Sequence, residues 1–266
     1  MIKPYYETKL GKLYHGDCLD IMPQLEPVDL VLTDPPYGTT ACSWDTVIPF
    51  EPMWKQLKRI IKKNRAIVLF SSQPFTSALV MSNVKMFKYE LVWDKSKSTG
   101  HLDAKRKPMK KHENILIFGN KGWPQYIPQN LIDGIFKTGR NVNMQRRVYS
   151  QFGNHVNSFK GNYPKSILKI KNPSGKEHLH PTQKPVALME YLIKTYTNEN
   201  EIVLDFTIGS GTTAIACERL NRKWIGIEIE EKYCKIAAKR IEENLTAMER
   251  IERSEKGITK KTGLLF

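Results

Sequence analysis

Apolar positions along the chain follow two alternating patterns. Val28 to Thr33 (VDLVLT) and Ala66 to Phe70 are short, nearly unbroken apolar runs, as expected of strands buried on both faces. Between them, Phe50 to Lys63 carries apolar residues at helical spacing, and the polar turn Ser71-Ser72-Gln73-Pro74 closes the second run. Tyr89 to Trp93 and Ile115 to Phe118 read as two more strands. The style returns in the last third. There the pattern predicts a helix from Pro185 to Thr197, a strand from Glu201 to Phe206, a turn from Thr207 to Gly211, a helix from Thr212 to Leu220, a strand from Lys223 to Ile229, and a long helix from Glu231 to about Arg253. Strands separated by helices of this length imply right-handed crossovers. The expected fold is α/β, a doubly wound, mostly parallel sheet covered on both faces.

The stretch between these two parts differs in chemistry. From Lys121 to Lys171 there is little periodicity, but many Asn and Gln, seven aromatics (Trp123, Tyr126, Phe136, Tyr149, Phe152, Phe159 and Tyr163) and nine Lys or Arg. Basic side chains interleaved with aromatics and amides suit phosphate contacts, base stacking and base-edge hydrogen bonds. An irregular basic surface insertion is the alternative. The net charge of +15 (42 Lys and Arg against 27 Asp and Glu) points to a polyanionic partner, and it is concentrated: residues 95–172 hold 16 Lys or Arg against Asp103, Glu113 and Asp133. Lys105, Arg106 and Lys107, with Lys110 and Lys111, sit in what reads as a linker between two strands and are candidates for phosphate contact. Arg140, Asn143, Arg146 and Arg147 are candidates for reading bases.

The rest of the composition removes other classes. With 266 residues, 40% hydrophobic and 26% charged, the chain is that of an ordinary globular protein of one large or two small domains. Its longest apolar runs fall far short of the ~18 residues of a membrane span, and the N-terminus has no apolar signal core, so a cytoplasmic location is expected. Cys18, Cys42, Cys217 and Cys234 show no C-x-x-C spacing; they are expected to be buried thiols, with no disulfide framework and no metal site.

Two short motifs carry chemistry. In Glu201 to Glu228 (EIVLDFTIGSGTTAIACERLNRKWIGIE) a buried strand runs into a glycine-rich turn, a helix starts at once, and an acid ends the next strand 19 residues after Gly209. Such an arrangement lets the backbone approach a nucleotide while the acid accepts hydrogen bonds from ribose hydroxyls. A purely structural strand-to-helix turn is the alternative. The second motif, Asp34-Pro35-Pro36-Tyr37, lies at the carboxyl end of VDLVLT, where ligands bind in open α/β sheets. The prolines fix an extended backbone. The Asp34 carboxylate and the Pro35 carbonyl then offer two acceptors to an exocyclic amine, and Tyr37 offers a ring for the base. Here the bland reading is a rigid turn with a surface tyrosine.

The pairing of DPPY with a downstream GSGTT turn resembles the S-adenosylmethionine-dependent DNA amino-methyltransferases, which make N6-methyladenine or N4-methylcytosine. The order of DPPY, basic insert and glycine-rich turn is similar to their β group, in which the cofactor half comes last. The resemblance includes Gly16-Asp17-Cys18-Leu19, HENILIFGN at 112–120 and HPTQKPVALMEYL at 180–192. It implies a Rossmann-like methyltransferase core whose target-base half is 1–118, a target-recognition insertion at 119–172, a cofactor-binding half at 173–244, and a helix end and tail at 245–266.

It further implies that Asp34, Pro35, Pro36 and Tyr37 hold the target base. Asp205, Gly209 and Gly211 would line the methionine part of the cofactor, Glu228 would bind its ribose, and Phe206, Thr207, Ser210 and Thr212 would also be cofactor-binding. Asp17 and Cys18 would lie by the adenine, and Thr182 and Lys184 near the carboxylate end. The family usually has Pro-Phe after the strand aspartate, where this chain has Phe206-Thr207. The activity implied is methyl transfer from S-adenosylmethionine to N6 of an adenine flipped out of double-stranded DNA. Alternatives are N4-cytosine methylation and a DNA-binding protein that retains the cofactor fold without catalysis. C5-cytosine chemistry would need a thiolate after a proline, and none of the four cysteines follows one. A homodimer and a cognate restriction endonuclease complete the partners the family suggests.

Overall fold

The computed structural model describes residues 2–40, 42, 45–129, 135–136, 159–160, 163–172 and 183–262, with side chains at 135–136, 159–160 and 252–262 left undescribed. It divides into two compact units, one made of 1–127 with 166–266 and the other of 128–165.

In chain order the larger unit contains β1 (Tyr6–Glu7), β2 (Gly11–His15), α1 (Cys18–Ile21), β3 (Val28–Thr33), α2 (Phe50–Ile60), β4 (Ile61–Ser71), α3 (Phe75–Ser82), β5 (Phe87–Thr99) and β6 (Lys110–Gly119). The smaller unit contributes a two-stranded ladder, β7 (Ile135–Phe136) with β8 (Phe159–Lys160). The chain then returns to the larger unit with β9 (Ile167–Lys169), α4 (Val186–Tyr196), β10 (Ile202–Asp205), α5 (Thr212–Arg219), β11 (Lys223–Glu228) and α6 (Glu231–Thr262).

Among the described residues, the strands of the larger unit form one sheet in the order β1-β2-β11-β10-β3-β4-β6-β5-β9. The central run β2-β11-β10-β3-β4 is parallel throughout, and β6 and β5 extend it antiparallel. Because successive strand residues point to opposite faces, each buried strand feeds two cores. Leu30 and Leu32 of β3 and Val68 and Phe70 of β4 pack with Leu188, Leu192 and Ile193 of α4 and Ala237 and Ile241 of α6. Val31, Ile67 and Leu69 point the other way and meet Met53, Trp54, Leu57 and Ile60 of α2 and Leu79 of α3. Asp29 breaks the apolar run of β3; it is buried but satisfied, taking Lys62 Nζ at 2.9 Å and the Ile202 N–H at 3.0 Å.

Several boundaries move relative to the sequence pattern. The helix expected to reach Lys63 stops at Ile60, and Ile61 is already extended, so the polar stretch Lys62–Arg65 is the entry of β4. The turn expected at 71–74 is present, and α3 follows it over a stretch for which no element was expected. β5 and β6 run past the short apolar cores that announced them and form an antiparallel hairpin; Lys110 and Lys111 therefore belong to a strand, and only Lys105, Arg106 and Lys107 sit in the connection. The last helix continues to Thr262, beyond the expected end near Arg253. Cys18, Cys217 and Cys234 are buried as expected, but Cys42, in the segment after the DPPY turn, is exposed. Among the described residues, no helix is long and apolar enough to cross a membrane.

Candidate active site

Four neighbouring parallel strands end at one edge of the sheet, and each is followed by a segment singled out above. β3 and β10 pair with Leu30 opposite Val203 and Val31 opposite Leu204, a register that, continued, brings Thr33 beside Phe206 and Asp34 beside Thr207. The junction is stitched by side chains: Thr33 Oγ1 donates to Asp205 Oδ1 at 2.8 Å and accepts from the Phe206 N–H at 2.9 Å, and Thr207 Oγ1 donates to the Asp34 carbonyl at 3.0 Å. One strand further, the Gly209 N–H donates to Glu228 Oε2 at 2.9 Å. β11 then pairs with β2, Glu228 opposite His15, and the Gly16 N–H donates to the Glu228 carbonyl at 2.9 Å, so Asp17 opens at the same edge. The two motifs, far apart in sequence, meet through parallel pairing.

The resulting cavity has a volume of about 410 Å³, the size of a small-molecule site. Of the residues expected to hold the target base, all four (Asp34, Pro35, Pro36 and Tyr37) line it. So do Asp17, Cys18, Lys184, Asp205, Phe206, Thr207, Gly209, Ser210, Thr212 and Glu228 from the cofactor set. Gly211, expected with them, is not on the lining. Its φ is +82°, and a Cβ there would meet Ala237 of α6 at 3.1 Å, so this glycine serves helix packing. Thr182, Arg140, Asn143, Arg146 and Arg147 lie outside the described residues. Lys105, Arg106, Lys107, Lys110 and Lys111 are exposed on the β5–β6 hairpin.

The chemistry at each position follows from its partners. Tyr37 donates its hydroxyl to Asp34 Oδ1 at 2.5 Å, while its ring stacks on Phe75 with centroids 5.1 Å apart. Asp34 also takes the Lys184 ammonium on Oδ2. Burial pushes the Asp34 carboxyl above its usual range, and the Lys184 charge opposes that shift. Asp205 is more enclosed: Thr33, Thr213 and the Thr207 N–H occupy its oxygens, yet burial still carries it up to about 6. It braces the turn. Glu228 accepts from the Gly209 and Glu230 N–H groups and is also raised, chiefly by burial. Burial pushes the Cys18 thiol up to about 12, which removes it as a nucleophile.

Other residues that build the site gave little signal in the sequence. Asp45 accepts from the N–H groups of Tyr37, Gly38, Thr39 and Thr40 at 2.6 to 2.9 Å, fixing the loop after the DPPY turn. Burial alone would raise its carboxyl, but these bonds outweigh it and hold it below the usual range. Arg240 of α6 reaches back to Ser210 Oγ at 2.8 Å and Thr212 Oγ1 at 3.3 Å, clamping the glycine turn. Ile229 sits beside Glu228 on the lining and is 55% exposed, an apolar surface left bare inside a cavity. Glu113 and Lys95 stand behind Lys184. A lone Asp, Arg or Glu in an ordinary pattern carries no flag; only the fold brings these together.

Comparison with known proteins agrees with this geometry. Residues 28–239 match the DNA methylase family (N6_N4_Mtase). Curated relatives include the Type II methyltransferase M2.LlaDCHI of Lactococcus lactis subsp. cremoris, 28% identical over 92% of this chain and 94% of that one. Another is M2.DpnII of Streptococcus pneumoniae, 28% identical over 91% and 93%. Among solved structures, the complex of M1.HpyAVI with SAM superposes with a TM-score of 0.59 at 26% identity, covering 87% of this chain and 99% of that one. The PvuII DNA methyltransferase (cytosine-N4-specific) shares the fold with a TM-score of 0.65 at 18% identity, covering 94% and 95%. With its DPPY turn ahead of its glycine-rich turn and both opening on one cavity, this chain belongs to the N6/N4 DNA methylase family, the enzymes that methylate amino groups of DNA.

Proposed function

We infer that the enzyme methylates N6 of an adenine flipped out of duplex DNA, with S-adenosylmethionine as donor. One observation carries the reading: the two acceptors of the DPPY turn and the glycine-rich turn share a cavity and are joined by the Thr207 to Asp34 hydrogen bond. The residues present fit the cofactor. Gly209 has φ +55°, and a Cβ there would meet nothing within 4 Å, so the turn leaves open space where a ligand can approach the backbone. Glu228 and Asp17 offer carboxylates for hydroxyl and amine donors, and Ile229 offers an apolar face for a ring. When bound, S-adenosylmethionine supplies a methyl group activated on a sulfonium.

The protein's part is to prepare the amine. Its lone pair is delocalised into the base, and hydrogen bonds from its N–H groups to Asp34 and the Pro35 carbonyl favour the tetrahedral nitrogen that forms during in-line transfer. Tyr37 is held by Phe75 on one face and by Asp34 at its hydroxyl, which gives the flipped base a preset wall. Flipping costs a few kcal/mol, offset in part by contacts inside the pocket.

Asp at the head of the tetrapeptide supports adenine. N4-cytosine methylation is the second reading, because the same two acceptors suit either exocyclic amine. Methylated duplex DNA should yield N6-methyladenine when digested to nucleosides and resolved by mass spectrometry; N4-methylcytosine alone would overturn the adenine assignment in favour of cytosine. The basic stretch is proposed to find the site, with the 119–172 insertion reading sequence. A paired endonuclease, a homodimer and a cytoplasmic location are further expectations of the family reading.

A further inference from the structure

Asp34 is the end of a chain of alternating charges. Lys184 donates to Asp34 Oδ2 and its ammonium lies 3.5 Å from Glu113 Oε2; Lys95 in turn donates to Glu113 Oε1 at 2.9 Å. The four side chains are drawn from the end of β3, from β5, from β6 and from the turn before α4, and all are largely enclosed: Lys184 is 7% exposed, Lys95 8%, Glu113 16% and Asp34 21%. Beneath the ammonium lies the Phe70 ring, 5.0 Å away, a platform that keeps water from that side. Such an arrangement is costly to bury unless it performs a task, since a string of apolar side chains would hold β5 and β6 against the core at least as well.

The task follows from what Asp34 must do. A carboxylate that accepts N–H bonds from the target amine has to be ionised and aimed, in a cavity whose burial favours the protonated form. A fixed cation on one oxygen meets both needs. We propose that Lys184 and Glu113 are positioning residues for Asp34: Lys184 keeps the carboxylate charged and oriented toward the amine, and Glu113, tied to Lys95, holds Lys184 in place from behind. This rests on the reading of Asp34 as an acceptor for the target amine, and it departs from the family-implied place of Lys184 beside the cofactor's carboxylate.

The charged and titratable groups around Asp34 set the signs. Lys184 favours the ionised form of Asp34 and Glu113 opposes it, while the Tyr37 hydroxyl donates to it; Lys184, Lys95 and Lys110 in turn favour the ionised form of Glu113, and Asp34, behind the strand ends, opposes that of Asp205. The single-turnover rate of the full-length enzyme on duplex DNA should therefore fall on an acid limb set by Asp34. Lys184→Met should move that limb to higher pH by about 1–3 units, the size of effect expected for an opposite charge in contact. Lys184→Arg should restore most of the wild-type limb. Glu113→Gln removes a like charge, but it also releases Lys184 from behind; the positioning role requires the second effect to prevail, so the limb should again move to higher pH.

The affinity for S-adenosylmethionine, measured by calorimetry, should stay within about twofold in all three variants, since none removes a cofactor contact. Loss of cofactor affinity in Lys184→Met with an unmoved acid limb would overturn the proposal and make Lys184 a cofactor ligand. If Lys184→Met does not fold, Glu113→Gln decides alone, and an unmoved or downward limb in it refutes the positioning role. Absence of transfer by the wild-type enzyme at every pH would instead defeat the reading of the function, and the positioning role would fall with it.

Discussion

Two glycines in one turn do different jobs here. Gly209 points at open space and Gly211 at the backbone of α6, although both have positive φ and stand two positions apart. The expected outcomes of substitution differ accordingly. Gly209→Val should abolish S-adenosylmethionine binding in calorimetry while the protein still melts cooperatively at a lowered Tm, since its Cβ enters open ligand space and meets no neighbour but a β-branched residue is strained at φ +55°. Gly211→Ala should keep the cavity but lower stability by roughly 1–3 kcal/mol, the scale of a strained backbone conformation plus a tight contact, read as a drop in Tm. Sequence reading assigned both to the cofactor, because spacing alone cannot say which way a Cβ would point. Asp34 and Glu228 were legible for the opposite reason: each ends a buried apolar run, and the carboxyl ends of parallel strands collect ligands. Lys95, Glu113 and Asp45 were not, since their roles exist only once β5, β6 and the loop after the DPPY turn come together.

The β5–β6 hairpin is the element that departs most from its sequence pattern. Only its inner parts are packed: Leu116 and Phe118 are buried, whereas the register from Asp94 opposite His112 to Thr99 opposite Lys110 runs past the end of β4 at Ser71. Beyond that edge the strands carry polar and charged side chains in place of an apolar run, and so read as a linker. The same fact places a basic tip, Lys105, Arg106 and Lys107, beyond the carboxyl edge where the cavity opens. Lys107 pairs with Asp103 at 3.3 Å, but both are well exposed, so solvent and salt screen the pair and leave the lysine free to exchange it for a phosphate. Neutralising the three together should weaken binding to cognate and scrambled duplexes alike and flatten the salt dependence, each lost phosphate contact lowering the log–log slope by roughly 0.9. A salt titration of affinity checks this, and a variant that loses preference for cognate sites at unchanged slope would assign the hairpin to base reading. Base-reading substitutions are expected instead among Arg140, Asn143, Arg146 and Arg147, in the insertion.

At the scale of the molecule, one sheet is assembled from two halves of the chain with the basic stretch between them. The N-terminal half supplies β2, β3 and β4, the C-terminal half β10 and β11, and the order β2-β11-β10-β3-β4 interleaves the two so that the DPPY and glycine-rich turns become neighbours. The parallel core and the inner parts of β5 and β6 are readable from their apolar runs; the antiparallel direction and outer ends of β5 and β6 are not, and the N-terminal strands β1 and β2 are too short or too polar to announce themselves. On the proposed function, this shared cavity transfers a methyl group to a DNA amine through Asp34. The direct test compares wild-type enzyme and Asp34→Ala with S-adenosylmethionine labelled in its methyl group and duplex DNA, following label into DNA and cofactor binding in parallel. Wild-type enzyme should label the DNA, and Asp34→Ala should bind the cofactor with near-normal affinity yet transfer no label. Near-normal labelling by Asp34→Ala, or a wild-type enzyme that binds the cofactor and never labels DNA, would contradict the account.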